Sequence, residues 1–317
     1  MVRWLHDNRE EGATTAAMDM AAAGGHLDVL RFLHERRLEG CTRRAMPAAA
    51  AGGHIAVLEW FIATRPRGTA SHGAVLEAAA EAGRLDVLRW LHDRASQSLL
   101  PAAARFPVAA AATSTASTVA ALAAAAPAIP APAAGAAAAD AAAARGHLEV
   151  VRWLLLNRPE GCTAAAADAA AAGGHVRVLE LLWHAAGQGA TACGDVFRPS
   201  AIHRAAANGH REVVRWFWEH GFATREAFSP LLMDEACTHG HLHVALLCRV
   251  AVGCTWSAFD GAARNGHLHV LRFLAEHYGD VGPSVTAFVQ AAERGRLDVL
   301  QFLWSRYPAT PAAGKQW

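Results

Sequence analysis

The sequence predicts an all-α solenoid, a stack of short helix–turn–helix units joined by short connectors. Three observations carry that prediction. A Gly-His or Gly-Arg dipeptide recurs at Gly25, Gly53, Gly83, Gly146, Gly174, Gly209, Gly240, Gly266 and Gly295, in steps of 28, 30, 63, 28, 35, 31, 26 and 29 residues. Apolar residues follow each of these glycines at helical spacing, and small residues precede it. Composition agrees: 53% of the 317 residues are hydrophobic, much of that alanine, while only 7% are aromatic, a bias toward packed helices.

Helix A comes first in each unit. Eleven residues before the glycine stands Ser or Thr in six of nine copies: Thr14, Thr42, Thr163, Ser229, Thr255 and Ser284. A hydroxyl there can cap the orphan amides of the first turn, and Pro230 after Ser229 suits the first helical position. Seven residues before the glycine is an apolar knob, such as Met18, Met46, Leu76, Ile202, Met233, Phe259 or Phe288. Three and four residues before it sit two small residues, Ala21-Ala22 and Ala205-Ala206 for example, with Cys237 the single exception to alanine. Small side chains let neighbouring helix backbones approach closely. The glycine itself ends helix A, where a left-handed residue is often needed.

Helix B follows. Val stands four after the glycine in all nine copies, from Val29 to Val299, and Leu or Val stands at the next position except at Ala245. Bulky apolar residues follow at seven and eight, with Trp60, Trp90, Trp153 and Trp216 at the former. These four positions make one apolar stripe. The tryptophans read as core, ahead of a base-stacking platform, so losing Trp153 is expected to cost roughly 3–5 kcal/mol. Arg at position six in five copies, Arg31, Arg89, Arg152, Arg215 and Arg272, lies on the solvated side. A single unit cannot bury such a stripe, whereas stacked units bury it against one another.

The array divides as residues 1–96 (half a unit plus three), 97–132 (an Ala/Pro-rich segment), 133–308 (six units) and a tail at 309–317. The chain opens inside a helix B, since Val2-Arg3-Trp4-Leu5 matches Val151-Arg152-Trp153-Leu154; the expectation is a piece of a longer protein or an incomplete gene model. Segment 97–132 admits three readings. A degenerate repeat fits the step of 63, and a disordered insert fits Pro101, Pro107, Pro127, Pro130 and Pro132. A membrane helix over Val108–Ala126 is disfavoured, because that stretch is mostly Ala with Ser and Thr.

Several function classes are excluded by composition and motif. A balance of 29 basic and 28 acidic residues lacks the concentrated charge of a nucleic-acid groove. No CxxC pair occurs among the six cysteines, so the chain reads as reduced and cytoplasmic. It carries no P-loop, HExxH, nucleophile elbow or dinucleotide fingerprint. Neither an enzyme nor a cofactor is therefore expected. Seven of the 18 histidines belong to the Gly-His turn, and a fixed register marks a structural role. A metal set built from His239, His241, His243, His267 and His269 is the sharper alternative, but His241 and His243 would diverge at their spacing of two. No metal is expected.

The runs Ala205-Ala206-Ala207-Asn208-Gly209-His210 and Ala262-Ala263-Arg264-Asn265-Gly266-His267 resemble the ankyrin repeat, and Ile202-His203 resembles the Leu-His of that family's Thr-Pro-Leu-His signature. The string Glu39-Gly40-Cys41-Thr42, with Glu160-Gly161-Cys162-Thr163, is similar to the expanded ankyrin arrays of oomycetes and related microbes. The resemblance covers nearly everything except 97–132. Departures are clear. Most units run 28–31 residues, against about 33 in the usual repeat, and the capping hydroxyl lies two residues further from the glycine. Only Arg37 to Cys41 separate Arg36 from Thr42, leaving little room for a projecting β-hairpin finger. The signature His position is mostly acidic: Asp19, Glu77, Asp140, Asp168, Asp234 and Asp260. An acid there could bond backbone amides in the neighbouring turn.

The resemblance implies a protein-interaction scaffold with helix A lining a concave face. Positions five, two and one before the glycine are bland in the N-terminal units, as at Met20, Ala23, Gly24, Ala48, Ala51 and Gly52. From the sixth glycine they diversify to Arg204, Asn208, Glu235, Thr238, His239, Arg264, Asn265, Gln290, Glu293 and Arg294. These residues, within 200–296, are expected to form the partner-binding groove, against a merely solvated face. The alternative function is the targeting or substrate-recognition arm of a larger enzyme or ubiquitin-ligase adaptor, truncated at its N-terminus. The expected chain is a monomer with an unidentified protein partner, and with no nucleic acid, small-molecule substrate or membrane.

Overall fold

The structure, a computed structural model, describes residues 14–36, 40–64, 71–99, 132–158, 161–187, 197–222, 228–249 and 252–308. Every regular element among them is an α-helix. The chain forms two compact units. The first carries the hairpins α1/α2 (Thr15–Ala23, Leu27–Arg36), α3/α4 (Ala45–Gly52, Ile55–Thr64), α5/α6 (His72–Glu81, Leu85–Leu99) and α7/α8 (Pro132–Ala144, Leu148–Asn157). The second carries α9/α10 (Ala164–Ala172, Val176–Gly187), α11/α12 (Pro199–Ala207, Arg211–Glu219), α13/α14 (Pro230–Thr238, Leu242–Cys248), α15/α16 (Trp256–Asn265, Leu268–His277) and α17/α18 (Val285–Glu293, Leu297–Arg306). The architecture is the α-solenoid that the repeat predicts.

Each hairpin closes in the same way. The nine glycines hold φ between 65° and 83°, the left-handed region that side chains disfavour. At Gly209 the glycine N–H donates to the Ala206 carbonyl at 3.1 Å and the His210 N–H to the Ala205 carbonyl at 2.8 Å. This is a Schellman cap, and the bond from the residue after the glycine recurs at 2.8–3.0 Å in all nine turns.

Consecutive A helices lie side by side within each unit: α1 on α3, α3 on α5 and α5 on α7, then α9 through α17 in the same manner. The small pairs make this contact. Both members are buried in every hairpin except the last, where Ala291 is buried and Ala292 exposed. Helix A knobs from Met18 to Phe259 join the core, whereas Phe288 in the last hairpin is half-exposed.

Helix B corrects one expectation. The position eight after the glycine is buried in all nine copies, from Leu33, Phe61 and Leu91 to Leu274 and Leu303, and the repeated valine in all but Val29. The position at seven is half-buried in seven copies, Trp153 included; only Trp216 and Phe273 are buried there. Geometry gives the reason. At about 100° per residue, positions four, eight and five span an arc of roughly 100°, and position seven lies some 60° outside it. At Trp60 and Trp153 the ring reaches along the array instead. His34 meets Trp60 edge-on at 5.3 Å and His92 meets Trp153 at 5.4 Å.

The readings of 97–132 fall chiefly on 100–131, which lie outside the described residues. The hairpins on either side of that segment are in direct contact: α5 rests on α7, Arg145 pairs with Glu81 at 2.7 Å, and the His147 ring bonds the Glu81 carbonyl at 2.9 Å.

Candidate protein-binding face

Which side chains are free to meet a partner depends on which ones stitch the hairpins together. The acidic position does so. In the first unit Asp19 accepts from the Thr42 N–H at 2.8 Å and the Thr42 hydroxyl at 2.6 Å. Asp140 binds Thr163 in the same way at 3.0 and 2.5 Å. In the second unit Asp234 holds Thr255, and Asp260 holds the Ser284 N–H at 3.0 Å together with the hydroxyls of Ser284 and Thr286. Among the described residues Asp168 receives only the Ser200 hydroxyl, at 3.0 and 2.9 Å. The hydroxyls at Thr255 and Ser284 also accept an amide of their own first turn, each at 3.1 Å, while that of Thr42 accepts from the Arg44 N–H just ahead of its helix. At Thr255 and Ser284 one side chain thus caps its helix and ties it to the hairpin before. Asp234 is only 3% exposed; burial raises its pKa above the ordinary carboxylate value, with the Thr255 bonds pulling the other way.

The histidines form the second stitch. Nε2–H of His54, His147, His210 and His241 donates to a carbonyl at the end of the preceding helix A, at 3.1, 2.9, 2.8 and 2.9 Å. Arg84 Nε substitutes at 2.9 Å. His243 and His269 reach the carbonyls of Gly209 and Gly240 at 2.7 and 3.0 Å, and His239 Nδ1 bonds the Glu235 carbonyl at 3.0 Å. Those imidazoles therefore serve separate carbonyls. Among the described residues no three His, Cys, Asp or Glu side chains are arranged to hold a metal. Burial lowers the pKa of His241 and His267, and neighbouring imidazoles lower it further.

The ten predicted site residues fall on successive A helices of the second unit, α11, α13, α15 and α17, or on the turns just after them. Because those helices pack in sequence, equivalent positions form rows. Not all are free. The Asn208 amide donates to the Ala172 carbonyl at 2.9 Å and Asn265 to the Thr238 carbonyl at 2.7 Å. Thr238 leans its hydroxyl against Gly261, where a Cβ would clash with it. His239 is turned back on Glu235, whose carboxylate lies 3.4 Å from His203 Nδ1. Arg204, Glu293 and Arg294 are exposed, while Arg264 and Gln290 are half-buried. The available surface is thus Arg204, Glu235, Arg264, Gln290, Glu293 and Arg294.

Sequence reasoning missed two features of the second unit. Trp183, Phe197, Trp216, His220 and Phe222 pack ring against ring, with His220 stacked on Trp216 at 4.3 Å. A cavity also opens beside the connector before α17. Its signal was the run Gly279-Asp280-Val281-Gly282-Pro283, unlike any other connector. Cys248 and Cys254 are not poised as nucleophiles. Burial pushes Cys248 up to about 12 and Cys254 up to about 11, so both are protonated at neutral pH.

Residues 18–62 and 139–182 match the sequence model of the family described as ankyrin repeats (many copies). Among solved structures, the human ASB11 ankyrin repeat domain is similar, at 17% identity and a TM-score of 0.45, covering 75% of this chain and 99% of that one. No curated protein matches the chain.

Proposed function

We propose that this chain, which carries ankyrin repeats, binds a partner protein through the helix A face of its second unit. One observation supports the reading: on four consecutively packed A helices, charged and amide side chains replace the alanines and glycines of the N-terminal hairpins, and Arg204, Glu293 and Arg294 are exposed there. A surface of mixed charge on rigid helices selects partners by charge complementarity. Cys237, Cys248 and Cys254 are free thiols, which fits a reducing cytoplasm. Among the described residues no helix is long and apolar enough to cross a membrane.

The test is the double charge reversal Arg264→Glu and Arg294→Glu, followed by affinity capture of partners and circular dichroism. Lost capture with full helicity supports the helix A face. Unchanged capture with full helicity removes it.

A further inference from the structure

The last described hairpin, α17/α18, keeps large apolar groups in solvent. Val285 is 52% exposed and Trp304 60%. With the connector before α17 they wall a cavity of about 540 Å³, lined also by Asp280, Phe288 and Tyr307. That volume is within the range of ligand pockets, roughly 300–1,000 Å³. Three of its walls are aromatic rings, whose faces carry negative charge density. Asp280 adds an exposed carboxylate that forms no ion pair among the described residues. The Tyr307 hydroxyl is shut off from solvent and has no hydrogen-bond partner among them.

Aromatic faces together with a carboxylate attract cations, repel anions and give a neutral apolar group nothing to set against the charge. The chain's own Arg306 illustrates the preference: its guanidinium lies 5.9 Å from the Tyr307 ring centroid. That residue competes for the tyrosine, whereas no cation of the described residues lies over Trp304. We infer that this cavity receives a lysine or arginine side chain from a peptide segment of a partner protein, the cation seated against Trp304 and Phe288 with Asp280 as its counter-ion. The site is separate from the helix A face, so either can fail alone.

The full chain labelled with 5-fluorotryptophan gives a direct readout by fluorine NMR, with Trp304→Phe identifying the Trp304 resonance. Blocked pentapeptides with Lys, Arg, Met or Glu between glycines serve as probes. The Lys or Arg peptide is expected to shift Trp304 saturably at millimolar concentration, and the Met peptide to bind about tenfold more weakly. Asp280→Asn is expected to weaken the cationic peptides about tenfold and leave the Met peptide unchanged, with the circular dichroism spectrum intact. Three results overturn the inference. Absence of any saturable shift removes the site. An equal response to the Met peptide makes it an apolar dock. A response that appears only after deletion of residues 309–317 assigns the cavity to the chain's own tail.

Discussion

Asp234 grips Thr255 of the following hairpin with both carboxylate oxygens, Oδ1 on the backbone N–H at 2.9 Å and Oδ2 on the hydroxyl at 2.6 Å. Removing the acid strands both donors. Bonds to a charged group contribute about 1.5–3 kcal/mol each, and the desolvation that raises this pKa offsets part of the gain. Asp234→Ala is expected to cost about 2 kcal/mol in urea unfolding, and Thr255→Val to add little on top of it. Fully additive losses would mean that the pair does not act as one contact.

The turn glycines are constrained twice, by their own backbone and by the next hairpin. Gly209 has φ 80°, and a Cβ on it would lie 2.6 Å from His241 Nδ1. Gly221 has φ 79° with nothing within 4 Å of such a Cβ. The left-handed conformation alone costs about 1–2 kcal/mol for alanine. Gly221→Ala should show only that, and Gly209→Ala at least about 1 kcal/mol more. Equal losses in thermal unfolding would show that the imidazole yields freely.

Acid should loosen the second unit. His241 and His267 have pKa values lowered from 6.5 by burial. Below 6.5 the unfolded chain therefore takes up protons that the native fold resists. Their contribution to stability is complete above 6.5 and is lost as pH falls through the native values. Asp234 has the opposite sign, because its raised pKa makes the native state the stronger proton binder from 3.8 upward. A urea midpoint lower at pH 5 than at pH 7.5 is expected, with His241→Gln flattening the change. A slope that survives both His241→Gln and His267→Gln would place its origin elsewhere.

Helix B offers a paired comparison. Phe217 is fully buried, while Trp153 is half-buried against His92. Phe217→Ala should cost about 3–5 kcal/mol and Trp153→Ala distinctly less. Chemical denaturation of the two variants decides the order, and the reverse order would contradict the burial pattern.

Much of this fold is written in single residues. Gly209 announces a left-handed turn, and the valines and alanine pairs announce the faces that meet, because each property belongs to one side chain at one register. Spacing alone places Trp153 in the core, because a stripe read from spacing has no defined width. Neighbouring hairpins set that width. The ties of Asn208 and Asn265 are hidden for a similar reason: their acceptors are backbone carbonyls one hairpin away, and nothing in the local sequence marks those distances. The acidic position was noticed, but its partner, Thr42 for Asp19 or Thr255 for Asp234, lies more than 20 residues on.

The direct seating of α5 on α7 makes the seam between Leu99 and Pro132 indifferent to the length of chain it spans. In sequence, 32 residues separate α6 from α7, against seven between α4 and α5. Such a junction tolerates grafting. A fluorescent protein or an affinity tag spliced there would leave the contact of α5 with α7 in place.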